Sequence, residues 1–215
     1  ANPNPKNLER FITAGTIIDP RVLYKKLLTT IAGEDIQAIT TMLALTLRHT
    51  ADILPGTVKV AEATDTEGEK FATQQPVIEV LCAAARTNND NVFTVVQNAL
   101  NISDKLSDDG IHAAFIAAIN ARADTIVKMI LEVYDHFANS TDSIGTPVII
   151  LAARQQSKTI MRALLGWGAD ITATTRAGQN ILNIAEANGA KANKSFWEYL
   201  NRRWKYAMEA DADNE

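Results

Sequence analysis

The sequence predicts an all-α chain: a solenoid of about five stacked helix-turn-helix repeats, with a long loop or β-hairpin inserted near residues 48–74. Three observations predict it. Gly145 and Gly178 stand 33 residues apart, and so do Ala152 and Ala185. Between those markers lie two short apolar runs, Val148–Ala153 and Ile160–Leu165, each long enough for a short helix once its flanks are included. Gly168-Ala169-Asp170 then supplies the glycine that ends a helix with a left-handed residue. One such helix pair cannot bury its own apolar face, so neighbours must stack on it.

The elements follow in order. Residues 1–20 form an N-terminal tail and short helix: ANPNP is punctuated by proline and asparagine, and Lys6–Thr13 has helical content. Residues 21–47 read as a degenerate first repeat. Val22, Leu23, Leu27 and Leu28 recur at helical spacing, Gly33 breaks the helix, and Ile36, Ile39, Met42 and Leu43 mark a second. Residues 48–74 are the insertion, where Leu54-Pro55-Gly56 and Asp65-Thr66-Glu67-Gly68 flank an alternating Thr57-Val58-Lys59-Val60. Loops of this length are usually functional or disordered.

The repeat pattern returns over 75–108, where Ala84-Ala85-Arg86 matches Ala152-Ala153-Arg154. The next unit, 109–141, places Ala117 33 residues after Ala84 and 35 before Ala152, with the two extra residues expected at Asn120–Ala123 or Tyr134–Thr141. Residues 142–174 are the clearest unit. Residues 175–208 form a C-terminal capping repeat, whose last helix carries Phe196, Trp197, Leu200 and Trp204 beside a charged outer side. Residues 209–215 are an acidic tail, expected to be disordered.

Asp142 and Gly145, Leu151-Ala152-Ala153, Ile160, Leu164-Leu165 and Gly168-Ala169-Asp170, in that order, resemble the ankyrin repeat. The chain departs from that pattern at Thr146-Pro147, one place early, and at Ile150, where the family has His. The resemblance implies a concave face of turn tips and first helices that binds another protein. Carried over position by position, it implies Ser143, Ile144, Thr146, Arg154 and Gln155 in the clearest unit, and Arg176, Ala177, Gln179, Ala187 and Asn188 in the next. Earlier units contribute Asp108, Asp109, Ile111, Ile119 and Asn120, and then Gln75, Pro76, Ile78, Arg86 and Thr87. The strongest set for partner binding is Arg86, Asp108, Asp109, Ser143, Ile144, Arg154, Gln155, Arg176 and Gln179. Arg86 and Arg154 recur at one position, where guanidiniums suit carboxylates.

Composition and motifs bound the chemistry. A net charge of −4 gives no basic footprint for nucleic acid, and no apolar run reaches the roughly 18 residues of a membrane span. No secretory signal is evident, and the missing initiator Met suits a trimmed N-terminus. Cys82 is the single cysteine, so no disulfide forms within the chain, which fits a cytoplasmic location. Its apolar neighbours read as those of a buried small side chain. His49, His112 and His136 fall in different units. Glu132, four residues before His136, offers a second group on one face, but two ligands are too few for zinc.

No catalytic set, metal site or cofactor motif emerges. Trp167, at the end of a second helix, is either a partner anchor or packing for the next unit. The function expected is a non-catalytic protein–protein interaction scaffold with a protein partner and no nucleic-acid or membrane role. The alternatives are the repeat portion of a larger enzyme, and a secreted bacterial effector acting in the host cytoplasm.

Overall fold

The computed structural model describes residues 20–48, 78–102 and 108–212. The N-terminal tail, the insertion from residue 49 onward, Gln75 and Pro76 lie outside the described residues. So does His49. The described chain is all-α: helices pack on helices, and an isolated antiparallel bridge, Thr141 to Pro147, is the nearest approach to a strand among the described residues.

The chain forms two compact units, residues 1–114 and 115–215. In the first, α1 (Pro20–Ala32) opens with a proline whose fixed φ suits a first helical turn. It packs on α2 (Ile36–Arg48), which packs in turn on α4 (Asp90–Ile102). The helix seen over 78–86, α3, lies between α2 and α4 in sequence. Leu23, Leu27 and Ile31 of α1 are buried, as are Ile39, Met42 and Leu43 of α2 and Val92, Phe93, Val96 and Leu100 of α4. Each set recurs at three- and four-residue steps, the spacing of one helix face. Val22 and Leu28 depart from the expected face: Val22 is exposed and Leu28 half-buried, while Leu23, Leu27 and Ile31, one turn apart, are buried.

The unit boundary falls inside α5 (Asp108–Ala121). The second unit continues with α6 (Asp124–Val133), a 3-10 turn at Asp135–Asn139, α7 (Val148–Arg154) and α8 (Lys158–Gly166). It ends with α9 (Ile181–Ala187), a 3-10 turn at Ala190–Ala192 and α10 (Lys194–Ala212). Here α7 packs on α9 and α6 packs on α8, so alternate helices meet alternate helices, while α7 and α8 also pair. Ile126, Val127, Ile130 and Leu131 of α6 face the core, as do Ile160, Met161 and Leu164 of α8 and Phe196, Tyr199 and Leu200 of α10. The last helix runs to Ala212, so much of the acidic tail expected to be disordered is helical, with Lys205 and Glu209 paired one turn apart at 3.5 Å.

Five turns between successive helical segments share one backbone signature. Glu34, Asn88, Arg122, Gln156 and Gly189 all have positive φ, between 53° and 76°. Two of them close the same motif. The Ser157 N–H donates to the Ala152 carbonyl at 3.2 Å and the Gln156 N–H to Ala153 at 3.0 Å. The Ala123 N–H donates to Ala118 at 2.9 Å and the Arg122 N–H to Ile119 at 3.1 Å. These are paired bonds that close a helix C-terminus through a left-handed residue.

The signature corrects the register read from the sequence. Counting back four residues from Asn88, Arg122 and Gln156 gives Ala84, Ala118 and Ala152, all fully buried, at even 34-residue steps. Ala118, not Ala117, therefore occupies the small inner position, and the two extra residues expected before Ala152 vanish. The run of small residues in α5 had made the neighbouring alanine look equivalent. At the first turn the left-handed residue is Glu34 rather than Gly33, whose N–H instead closes the helix onto Thr29 and Thr30.

Candidate interaction surface

The tips that precede α7 and α9 are built alike. Asp142 N–H donates to the Thr146 carbonyl at 2.9 Å, and Gly145 N–H returns to the Asp142 carbonyl at 2.9 Å. Thr175 N–H donates to the Gln179 carbonyl at 3.0 Å, and Gly178 N–H to Thr175 at 2.9 Å. Both glycines are left-handed, with φ of 81° and 72°, a conformation that makes each tip a glycine site. The Asp142 carboxylate turns inward, accepting from the Ile144 N–H at 3.1 Å and the Thr146 N–H at 2.8 Å. Thr175 Oγ1 does the same work for the Gln179 N–H at 3.2 Å.

The tips touch through Arg176. Its guanidinium lies against Gly145, so close that a Cβ there would stand 2.5 Å from Nε and 2.9 Å from Cζ. Ser143 and Ile144 crown the first tip, and Ile144 stays 66% exposed. Gln179 is exposed at the base of the second.

A second cluster forms at the opposite end of α7. All six residues from Val148 to Ala153 are buried, so this helix shows no side chain to solvent before its last residue. Arg154, Gln155 and Gln156 emerge half-buried where it ends. Gln156 Nε2 donates to the Asn188 carbonyl at 2.8 Å, linking this turn to the next. In the first unit, Asn89 Nδ2 donates to Glu34 Oε2 at 2.8 Å in a comparable link.

The expected residues thus divide. Ser143, Ile144, Arg176 and Gln179 gather at the tips of the second unit, and Arg154 and Gln155 about 10 Å of helix away. Arg86, Asp108 and Asp109 belong to the first unit and are exposed. Arg86 ends α3 as Arg154 ends α7, and both cations sit where a helix C-terminus favours positive charge. Asp108 and Asp109 occupy the first turn of α5, where the helix N-terminus favours carboxylates.

Three positions carried over as surface residues are core instead. Thr146, Ile111 and Ile119 are buried. Thr146 is held in by its backbone bond to Asp142, and Ile119 by the register shift that brings it to the place of Ala153.

Cys82 is buried in the first unit, and that burial pushes its thiol above the ordinary value, with nearby Arg86 pulling it partly back. Tyr24, on α1, donates its hydroxyl to Glu79 Oε2 at 2.5 Å. Burial, reinforced by that bond and the carboxylate's charge, raises its pKa well above 10.

Glu132 and His136 do not share a helical face. α6 stops at Val133, and His136 lies in the 3-10 turn, its Nδ1 3.9 Å from Asp135. That turn gathers an aromatic cluster that no periodic spacing marks. Phe137 stacks on Tyr134 at 5.2 Å between centroids, meets the His136 ring edge-on at 4.6 Å and approaches Phe115 at 5.7 Å. Trp167, at the end of α8, remains 43% exposed rather than covered by the next helix pair. Among the described residues, no three His, Cys, Asp or Glu side chains gather as a metal site, and no helix is long and apolar enough to cross a membrane. No family model and no curated protein matches the chain.

Proposed function

We propose that the chain is an ankyrin-like repeat protein that works as a non-catalytic protein–protein interaction scaffold, presenting turn tips and helix ends to a protein partner. The observation that carries this reading is the recurrence of a left-handed residue in the turns that follow α3, α5, α7 and α9, at Asn88, Arg122, Gln156 and Gly189, spaced 34, 34 and 33 residues apart. Glycine-closed tips joined through Arg176 and Gly145 support it further, because repeated tips form a surface longer than any single element supplies. The exposed Ile144 and the guanidiniums of Arg86, Arg154 and Arg176 are the groups suited to recognition. A cytoplasmic, reducing setting belongs to the same reading.

Affinity capture with quantitative mass spectrometry tests it. Wild type should retain a specific protein that is lost from an Arg86→Glu/Arg154→Glu variant, and from an Ile144→Asp/Arg176→Glu variant, each with unchanged circular dichroism. A specific partner held equally by wild type and both variants would overturn this surface as the binding site. A purified activity on a small-molecule substrate would overturn the non-catalytic reading.

A further inference from the structure

The charges of the second unit are unevenly committed. Its ion pairs among the described residues are made by lysines and by His136, and none uses an arginine. The carboxylates beside the tips and helix ends are already engaged. Asp142 caps its own tip through two backbone N–H groups. Asp170 accepts from Thr172 N–H and from its hydroxyl, both at 2.7 Å. Glu186 pairs with Lys191. The guanidinium of Arg176 is different: one side is seated on Gly145, and it makes none of the ion pairs among the described residues. Arg154, half-buried at the end of α7, likewise has no carboxylate partner among the described residues.

A guanidinium laid on backbone has lost much of its freedom before any ligand arrives, so less is lost when it binds a carboxylate through two parallel N–H bonds. We propose that this surface takes an acidic peptide segment of a partner protein, its carboxylates received by Arg176 at the tips and Arg154 at the helix end. The inference rests on the scaffold reading and adds the chemistry of the partner. Ser143, Gln155 and Gln179 supply neutral polar groups around the two arginines, and exposed Ile144 supplies an apolar contact. The chain's net charge of −4 favours a short acidic segment over a nucleic acid, whose continuous phosphates would meet the rest of an acidic molecule.

The test uses a fluorescent peptide of alternating Glu and Ser, a matched Gln-Ser peptide, and a labelled single-stranded RNA, read by anisotropy on the whole protein. The Glu-Ser peptide should bind, weaken as salt rises, and lose about tenfold in affinity in Arg154→Gln/Arg176→Gln. Arg162→Gln/Arg202→Gln, which removes two exposed guanidiniums elsewhere on the second unit, should bind as wild type does. Equal loss in both variants, tighter binding of RNA, or equal binding of the Gln-Ser peptide would overturn the proposal. So would absence of Glu-Ser binding by a protein that still captures its partner through Ile144 and Arg176. That last result would leave the scaffold reading standing, whereas a partner indifferent to the surface variants would remove both.

Discussion

Asn139 clasps the turn that ends α8. Its Nδ2 donates to the Gly168 carbonyl at 2.9 Å, and its Oδ1 accepts from the Asp170 N–H at 2.8 Å. One amide thereby satisfies both sides of the Gly168-Ala169-Asp170 turn from the 3-10 turn that follows α6. Asn139→Ala should cost about 1–2 kcal/mol, two exposed hydrogen bonds at their usual net worth. Asn139→Asp, which keeps the acceptor and loses the donor, should fall between. Urea unfolding midpoints of the three proteins check the order; an Asp variant less stable than the Ala variant would mean the acceptor bond is not the one retained.

The register can be tested by adding volume. Ala118 and Ala152 are both fully buried four residues before a left-handed turn. Ala118→Leu and Ala152→Leu should each lower stability by roughly 1–3 kcal/mol, because a close-packed site cannot take three more carbons without displacing its neighbours. Ala117, a little more open, should tolerate the same change better. Thermal melts in which Ala117→Leu is the most damaging of the three would restore the register suggested by sequence alone.

Much of the fold was legible because the apolar period and the glycine tips carry the same message. Gly145, Gly168 and Gly178 stand where the backbone must turn left-handed, and a reader of glycines finds them. The turns inside the helix pairs were harder to see, since Glu34, Asn88, Arg122 and Gln156 take that conformation without glycine. At Arg122 and Gln156 it is the paired carbonyl bonds that reveal the common role. Ser143 and Ile144 lie on the tip before α7, and Arg176 and Gln179 on the tip before α9. The clasp of Asn139 on Gly168 and Asp170 joins residues about thirty positions apart, through side-chain chemistry that leaves no periodic trace. The burial of Val148–Ala153 on every side was hidden for a similar reason: a short apolar run does not say how many of its sides will be covered.

A left-handed residue with a Cβ costs roughly 1–2 kcal/mol against ordinary helical geometry. Glycine relieves that cost but gives back part of it through the freedom of the unfolded chain. Arg122→Gly should therefore stabilise the protein by up to about 1 kcal/mol. Gln156→Gly should gain less, since it also discards the bond from Nε2 to the Asn188 carbonyl. Differential scanning calorimetry of both variants checks this, and an Arg122→Gly protein that melts earlier than wild type would contradict the strain argument.

Alkaline pH should weaken the first unit through Tyr24. Its pKa is raised above the ordinary value of 10, first by burial and then by the hydrogen bond and charge of Glu79. Above pH 10 the unfolded chain releases the phenolic proton while the folded chain keeps it, so the native state binds more protons and stability falls as pH rises. Below pH 10 both states are neutral at this residue, and its contribution is constant. The Cys82 thiol, also raised mainly by burial, acts in the same direction from about its own ordinary value of 9 upward. Tyr24→Phe removes the ionisable group and should flatten the decline above pH 10, while lowering stability near neutrality through loss of the bond to Glu79. Glu79→Gln should leave the decline present but shallower, because burial is the larger cause. Denaturant midpoints measured from pH 8 to 11 decide the matter: parallel curves for wild type and Tyr24→Phe would show that this tyrosine does not set the alkaline limit.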